Sequence, residues 1–145
     1  IQAQRVLVIG IDGTRSDALT AAFTPNIDDL IAEGVYSPDA LNNDITSSGP
    51  GWSDILTGVR SNKHGVTDNS FAGSNYANYP TFLKRLETSA PELNTVSICQ
   101  WAPINDYIVT NGADVVINVA SGVGVKNETV DVISNSDPHA IFIHF

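Results

Sequence analysis

Short apolar runs alternate with segments of helical periodicity, and this alternation restricts the fold more than any other feature of the chain. The run 5–11 is rich in β-branched residues and is followed at once by turn residues, which is typical of a fully buried parallel strand. Similar runs predict strands at 95–100, 113–119 and 140–145, and helices are predicted at 24–34, 50–58, 80–86, 104–109 and 125–134. The order predicts an α/β fold, a mostly parallel sheet with helices on both faces.

The length of the chain fits one domain. Its 145 residues are 42% apolar, enough for a real core, and no apolar run is long enough to cross a bilayer. The strand at 140–145 has no helix after it, although a parallel strand is normally covered on both faces. We therefore expect 1–145 to be the N-terminal part of a single, larger domain.

The composition narrows the possible partners and chemistry. A formal net charge of −9 disfavours binding to nucleic acid polymers or anionic membranes, which require a basic surface. The negative charge does not exclude a phosphorylated small molecule as the substrate. Divalent cations bound at a carboxylate-rich site would reverse the sign of the local electrostatic field. The only cysteine, Cys99, lies in an apolar run and is predicted to be a buried, inert thiol. The start at Ile1 fits a mature periplasmic or extracellular protein, and equally a trimmed chain.

Asp12 follows the first predicted strand directly. Open α/β sheets bind ligands at the carboxyl ends of their strands, and a carboxylate there can bind a divalent cation. Many aspartates in this position instead cap the following turn, here through Thr14 and Arg15. The residue alone supports both interpretations equally.

A serine-rich segment precedes the second predicted helix, with Ser47 and Ser48 directly before Gly49-Pro50. Such a serine usually serves as a helix N-cap. The alternative is that the Ser48 hydroxyl attacks phosphorus while the backbone at the helix start, including Gly49, binds the phosphoryl oxygens.

Several motifs in a fixed order resemble the alkaline phosphatase superfamily, and in particular its type I phosphodiesterase/nucleotide pyrophosphatase family. They cover about the first half of the chain: 6–13 (VLVIGIDG), 24–27 (TPNI), 48–52 (SGPGW), 56–58 (LTG) and 64–69 (HGVTDN). The resemblance implies an alkaline-phosphatase-like core. It also implies that Asp12 is the first metal-binding aspartate, that Ser48 is the nucleophile and bridges toward the metals, and that Asn69 donates to a phosphate oxygen. His64 falls in a turn where the family uses histidine structurally.

The chain also departs from the family's pattern. The nucleotide pyrophosphatases usually carry Thr followed by Phe-Pro-Asn-His, whereas this chain has Ser48 followed by Gly-Pro-Gly-Trp, so a nucleotide preference does not follow from this motif. Trp52 also replaces the arginine of the sulfatase signature, which argues against sulfatase chemistry. Trp52, Phe71 and Tyr76 could form an aromatic platform near Asn69, but a place in the core is more usual for such residues.

The resemblance implies two divalent metal ions, expected to be Zn²⁺, whose remaining ligands follow Phe145. Structural roles are expected for His139, in a turn, and for His144, in a strand. Because two protein ligands cannot hold a catalytic zinc pair, we expect the 145 residues alone to be inactive.

The sequence therefore predicts a metal-dependent phosphodiesterase of the nucleotide pyrophosphatase type, acting on a small phosphorylated substrate such as a nucleotide through a phosphorylated Ser48. The alternatives are a phosphomonoesterase or phosphonate hydrolase of the same superfamily, or a non-catalytic binding module that keeps the fold.

Overall fold

Backbone hydrogen bonds join the four predicted strands side by side into one parallel sheet. In the computed structural model, which describes residues 4–145, the strands are β1 (Val6–Gly10), β2 (Thr95–Cys99), β3 (Val115–Asn118) and β4 (Ala140–His144). Their order in the sheet is β1-β4-β2-β3, and every pairing is parallel. The predicted strands are thus confirmed, while the chain start at Ile1 lies outside the described residues.

The helices agree with the predicted segments and include two that the periodicity did not indicate. The described residues form six α-helices, α1 (Ser16–Ala21), α2 (Pro25–Glu33), α3 (Ser48–Thr57), α4 (Ser61–His64), α5 (Phe82–Ser89) and α6 (Gly122–Asn135). The segment Ile104–Val109 is a π-helix. The additional helices, α1 and α4, are the two shortest of the six and have no long apolar pattern.

Two apolar clusters lie on opposite faces of the sheet, because successive side chains of a strand point to opposite sides. On β4, Phe142 belongs to the cluster that includes residues of α3, α5 and the π-helix. The neighbouring residues Ile141 and Ile143 belong to the second cluster, which includes Val125 and Val132 of α6. The prediction of a parallel sheet with helices on both faces is therefore confirmed.

The prediction that β1 is fully buried is wrong. Val6 is 54% exposed and Ile9 is 49% exposed, and β1 is an edge strand that pairs only with β4 within the described residues. Helices α1 and α2, which follow β1 in the chain, contribute no buried side chain. The apolar side of α2 is accordingly left open, with Leu30 66% exposed.

None of the helices within residues 4–145 combines the length and apolar character that a bilayer-spanning segment needs.

Cys99 is fully buried at the end of β2. Burial raises the pKa of its thiol to about 12, whereas an exposed cysteine has a pKa of about 8.5. The thiolate fraction at neutral pH is thus roughly a thousandfold smaller than for an exposed cysteine. The structure confirms the prediction of a buried thiol.

We expect iodoacetamide at neutral pH to label Cys99 only after the protein is unfolded in guanidinium chloride. Mass spectrometry of the peptide that contains Cys99 measures this directly. Labelling of the folded protein at the rate of free cysteine would contradict the described burial.

Candidate functional site

The candidate site lies at the carboxyl edge of the sheet, where β1 and β4 end side by side. The amide of Phe145 donates to the carbonyl of Gly10 at 2.9 Å, and the amide of Asp12 donates to the carbonyl of Phe145 at 3.3 Å. The ladder therefore continues past both strands and fixes the backbone of Asp12. Ligand sites in open α/β sheets occur at this edge.

The Asp12 carboxylate faces the first turns of α3. Its Oδ2 accepts hydrogen bonds from the Ser48 hydroxyl at 3.3 Å and from the indole N–H of Trp52 at 3.2 Å. Within the described residues no side chain or backbone group donates to Oδ1, and the side chain is 48% exposed. The capping interpretation fails here, since within the described residues the carboxylate accepts from Ser48 and Trp52 and not from the backbone N–H of Thr14 or Arg15.

Ser48 is the first helical residue of α3, and Ser47 occupies the N-cap position with extended backbone. The Ser47 side chain makes no capping hydrogen bond. The Ser48 hydroxyl points to Asp12, so the structure joins the two residues that the sequence analysis singled out separately. It also places Ser48 at the N-terminus of a ten-residue helix, where the backbone favours negative charge.

Asn69 is held against the same helix start. Its Oδ1 accepts the backbone N–H of Gly49 at 2.7 Å, which assigns the amide orientation because the NH₂ group cannot accept a hydrogen bond. The Nδ2 group has no acceptor among residues 4–145 and can donate to a ligand. Gly49 itself gives its N–H to Asn69 in this structure, so direct phosphate binding by Gly49 stays a prediction.

Glycine is required at position 49 for this contact. A Cβ there would lie 2.8 Å from the Asp68 carbonyl oxygen and 3.0 Å from Oδ1 of Asn69. At Gly51, two residues later, a Cβ would meet no atom within 4 Å.

His144 lies beside Asp12 at the end of β4, although the sequence analysis gave it only a structural role. It is 3% exposed, and its Nε2 is 3.9 Å from Oδ2 of Asp12. Burial lowers the pKa of His144, and the nearby Asp12 carboxylate partly opposes this effect. The lowered pKa favours the neutral form of the imidazole. Its ring packs edge-on against the indole of Trp52, with ring centroids 4.8 Å apart.

Trp52 and His144 are the two residues near Asp12 whose positions the sequence analysis did not predict. The sequence contains an indication of both positions. Trp52 is four residues after Ser48 and thus on the same helix face, and His144 ends a parallel strand at the same edge as Asp12.

The other candidate residues have structural contacts. His64 is fully buried, with Nε2 2.7 Å from Oδ1 of Asp54 and Nδ1 accepting the amide of Val66. His139 accepts the amide of Asn94 through Nδ1. These contacts agree with the structural roles predicted for both histidines.

The aromatic platform does not form near Asn69. Trp52 and Phe71 are buried in the core, and the hydroxyl of Tyr76 hydrogen-bonds that of Ser53 at 2.7 Å. These side chains have the core role that the sequence analysis considered more usual.

An open cavity of about 460 Å³ lies over Asp12 and Ser48. A second cavity of about 320 Å³ also borders both residues and reaches Trp101 and His144. Within residues 4–145 no three side chains of the His, Cys, Asp or Glu type are grouped closely enough to hold a metal ion. The described residues can therefore supply only part of a metal site.

Comparison of the chain with known protein families identifies the family to which it belongs. The model of the type I phosphodiesterase / nucleotide pyrophosphatase family matches residues 6–133. The chain belongs to this family. The match extends well beyond the motifs quoted above and takes in β2, β3 and most of α6.

Curated relatives support the assignment. The chain is 33% identical over 89 residues to an uncharacterized pyrophosphatase/phosphodiesterase of Schizosaccharomyces pombe, which covers 61% of the chain and 17% of the relative. It is 35% identical over 72 residues to a bis(5′-adenosyl)-triphosphatase of Mus musculus, covering 50% of the chain and 16% of the relative. A protein of the same name from Xenopus laevis is 31% identical over 65 residues, or 45% of the chain and 14% of the relative. The chain thus spans about a sixth of the length of these relatives.

We expect Gly49→Ala to lower the free energy of unfolding by about 1–3 kcal/mol, because the added methyl group would overlap a backbone oxygen and displace Asn69. Gly51→Ala is the matched control. It should be neutral or stabilise α3 by up to about 1 kcal/mol, since alanine is the better helix former. Urea denaturation of both variants measures the difference, and equal stabilities would contradict the close approach of Asn69 to Gly49.

Proposed function

We propose that this protein hydrolyses phosphodiester or pyrophosphate bonds in a small substrate such as a nucleotide, with Ser48 as the nucleophile. The observation that carries the proposal is the arrangement at the start of α3. There the Ser48 hydroxyl is 3.3 Å from the Asp12 carboxylate, and the Gly49 amide is 2.7 Å from Asn69. Membership of the family supplies the class of reaction.

The proposal includes two divalent metal ions, with zinc as the expected metal. Oδ1 of Asp12 and the Ser48 oxygen fit such a role, since both are oxygen donors that face an open cavity and carboxylates bind divalent cations well. A catalytic zinc usually has three protein ligands, so we propose that the intact protein supplies further ligands. Bound ions would lower the pKa of the serine hydroxyl and stabilise negative charge on the phosphoryl group.

The residues of the chain would then act as follows. The Ser48 oxygen attacks phosphorus, the new O–P bond forms, and the bond from phosphorus to the leaving oxygen breaks. The serine proton leaves along its hydrogen bond to Oδ2 of Asp12, and the half-exposed Asp12 side chain passes it on to water. Water then cleaves the phosphoserine and restores the hydroxyl.

Asn69 would bind the substrate while the covalent chemistry takes place at Ser48. Because Oδ1 of Asn69 is engaged by the Gly49 amide, its Nδ2 can donate to a non-bridging phosphate oxygen. A fixed donor of this kind stabilises charge that develops in the transition state. The N-terminus of α3 adds a favourable field for the same charge.

We expect Ser48→Ala to reduce kcat/KM for bis(p-nitrophenyl) phosphate by about a thousandfold or more in the full-length, zinc-loaded protein, because the nucleophile is removed. Ser47→Ala is the matched control, since Ser47 makes no side-chain capping bond, and it should keep wild-type turnover. Undiminished hydrolysis by the Ser48 variant would remove this residue from the assigned role.

The relatives named bis(5′-adenosyl)-triphosphatase support a nucleotide substrate with a pyrophosphate linkage. We expect the full-length protein to hydrolyse bis(5′-adenosyl) triphosphate at least about tenfold faster than p-nitrophenyl phosphate, a difference of about 1.4 kcal/mol in barrier. Chromatography of the products measures both rates. A preference for p-nitrophenyl phosphate would instead support the phosphomonoesterase alternative.

A further inference from the structure

Two ring N–H groups converge on one oxygen of the Asp12 carboxylate. Trp52 donates to Oδ2 at 3.2 Å, and the buried Nε2 of His144 faces the same oxygen at 3.9 Å. We propose that Trp52 and His144 are positioning residues, which hold Oδ2 of Asp12 and thereby orient Oδ1 toward a bound metal ion. The inference rests on the proposed function, in which Asp12 is a metal ligand.

The indole of Trp52 reaches Asp12 because β1 carries glycine at position 10. A Cβ on Gly10 would lie 2.4 Å from Cη2 of Trp52 and 2.7 Å from Cζ3. The ring therefore lies directly against the β1 backbone, with Phe142 edge-on at 5.9 Å on β4. A side chain packed in this way has little freedom, so its N–H is fixed toward Oδ2.

The tautomer of His144 follows from its neighbours. Nδ1 faces the backbone N–H of Trp101 at 3.5 Å and can only accept there, so in the neutral ring the proton lies on Nε2. This Nε2 is buried and has no hydrogen-bond partner within the described residues. Buried polar atoms without partners are rare in folded proteins.

Asp12 is the acceptor within reach of this orphaned N–H. Movement of the carboxylate by about 1 Å would shorten the separation of 3.9 Å to an ordinary hydrogen bond. The register of β4 against β1, which pairs Gly10 with His144, keeps the imidazole beside Asp12.

The ring N–H groups of Trp52 and His144 both point to Oδ2 of Asp12. The lone pairs of Oδ1 are therefore left to bind a metal ion. Groups that hydrogen-bond a metal-binding side chain fix its orientation, and their loss typically weakens metal binding 10–100-fold. The indole N–H of Trp52 suits this task, since it carries no charge and engages one oxygen without cancelling the charge of the carboxylate.

The test uses the full-length protein and measures zinc affinity by competition with a chromophoric chelator, together with kcat and KM for bis(p-nitrophenyl) phosphate. Trp52→Phe keeps an aromatic ring but removes the donor, and His144→Leu removes the imidazole. We expect each to weaken zinc binding about 10–100-fold and to lower kcat at subsaturating zinc. KM should change little, because the contact between Asn69 and Gly49 is untouched.

Two further variants separate positioning from packing. His144→Gln places an amide N–H near the position of Nε2, and we expect it to restore most of the zinc affinity lost in His144→Leu. Leu83→Val trims a fully buried residue of α5 in the same core cluster as Trp52. It should lower the melting temperature and leave zinc affinity unchanged.

The possible failures are distinguishable. If the wild type binds zinc and cleaves the diester while Trp52→Phe and His144→Leu keep its zinc affinity, the positioning role is overturned and the proposed function stands. If Leu83→Val weakens zinc binding as much as they do, the effect is one of general stability and the inference is again wrong. A metal-loaded wild type without hydrolysis overturns the proposed function, and absence of zinc binding overturns both.

Discussion

The register between β1 and β4 determines where every group of the candidate site stands. Gly10 pairs with His144, and the hydrogen-bond ladder extends to Asp12 and Phe145. The Asp12 carboxylate therefore lies beside the His144 imidazole. A slip of one residue would turn each side chain to the opposite face of the sheet. His144 would then lie on the α6 face, and Asp12 would no longer meet it.

Two glycines allow the helix α3 to approach this edge closely. Gly10 leaves room for the indole of Trp52, and Gly49 leaves room for Asn69. Helix α3 is thereby held from two sides, by the sheet through Asp12 and by the segment after α4 through Asn69. Ser48, the proposed nucleophile, lies between these two contacts as the first residue of the helix.

The hydrophobic pattern was sufficient to predict the four strands and the longer helices, because burial on one or both sides dictates a periodicity of its own. It did not predict α1, because six residues are too few to show a helical periodicity. The exposure of β1 was not predicted because this strand has a strong apolar pattern. Its composition is that of a covered strand, while its place at the edge depends on the order of strands in the sheet, which local sequence does not contain.

For the site, motif order was enough to select Asp12, Ser48 and Asn69, and the structure places these three around the start of α3. The positioning role proposed for Trp52 and His144 depends on contacts between residues 40 or more positions apart. Such contacts follow from the pairing of β4 with β1 and from the close approach at Gly10. A single sequence shows the residue types, and only the assembled sheet shows which ones meet.

The side chains of Asn69 and His64 close the stretch 49–69 on itself at two points. Asn69 is bound to the first turn of α3, and His64 to Asp54 further along the same helix. Closed segments of this kind open as cooperative units in hydrogen exchange. Loss of the Asn69 contact would therefore loosen the amides at the start of α3 together with the turn after α4, so that Ser48 and Asn69 become mobile together.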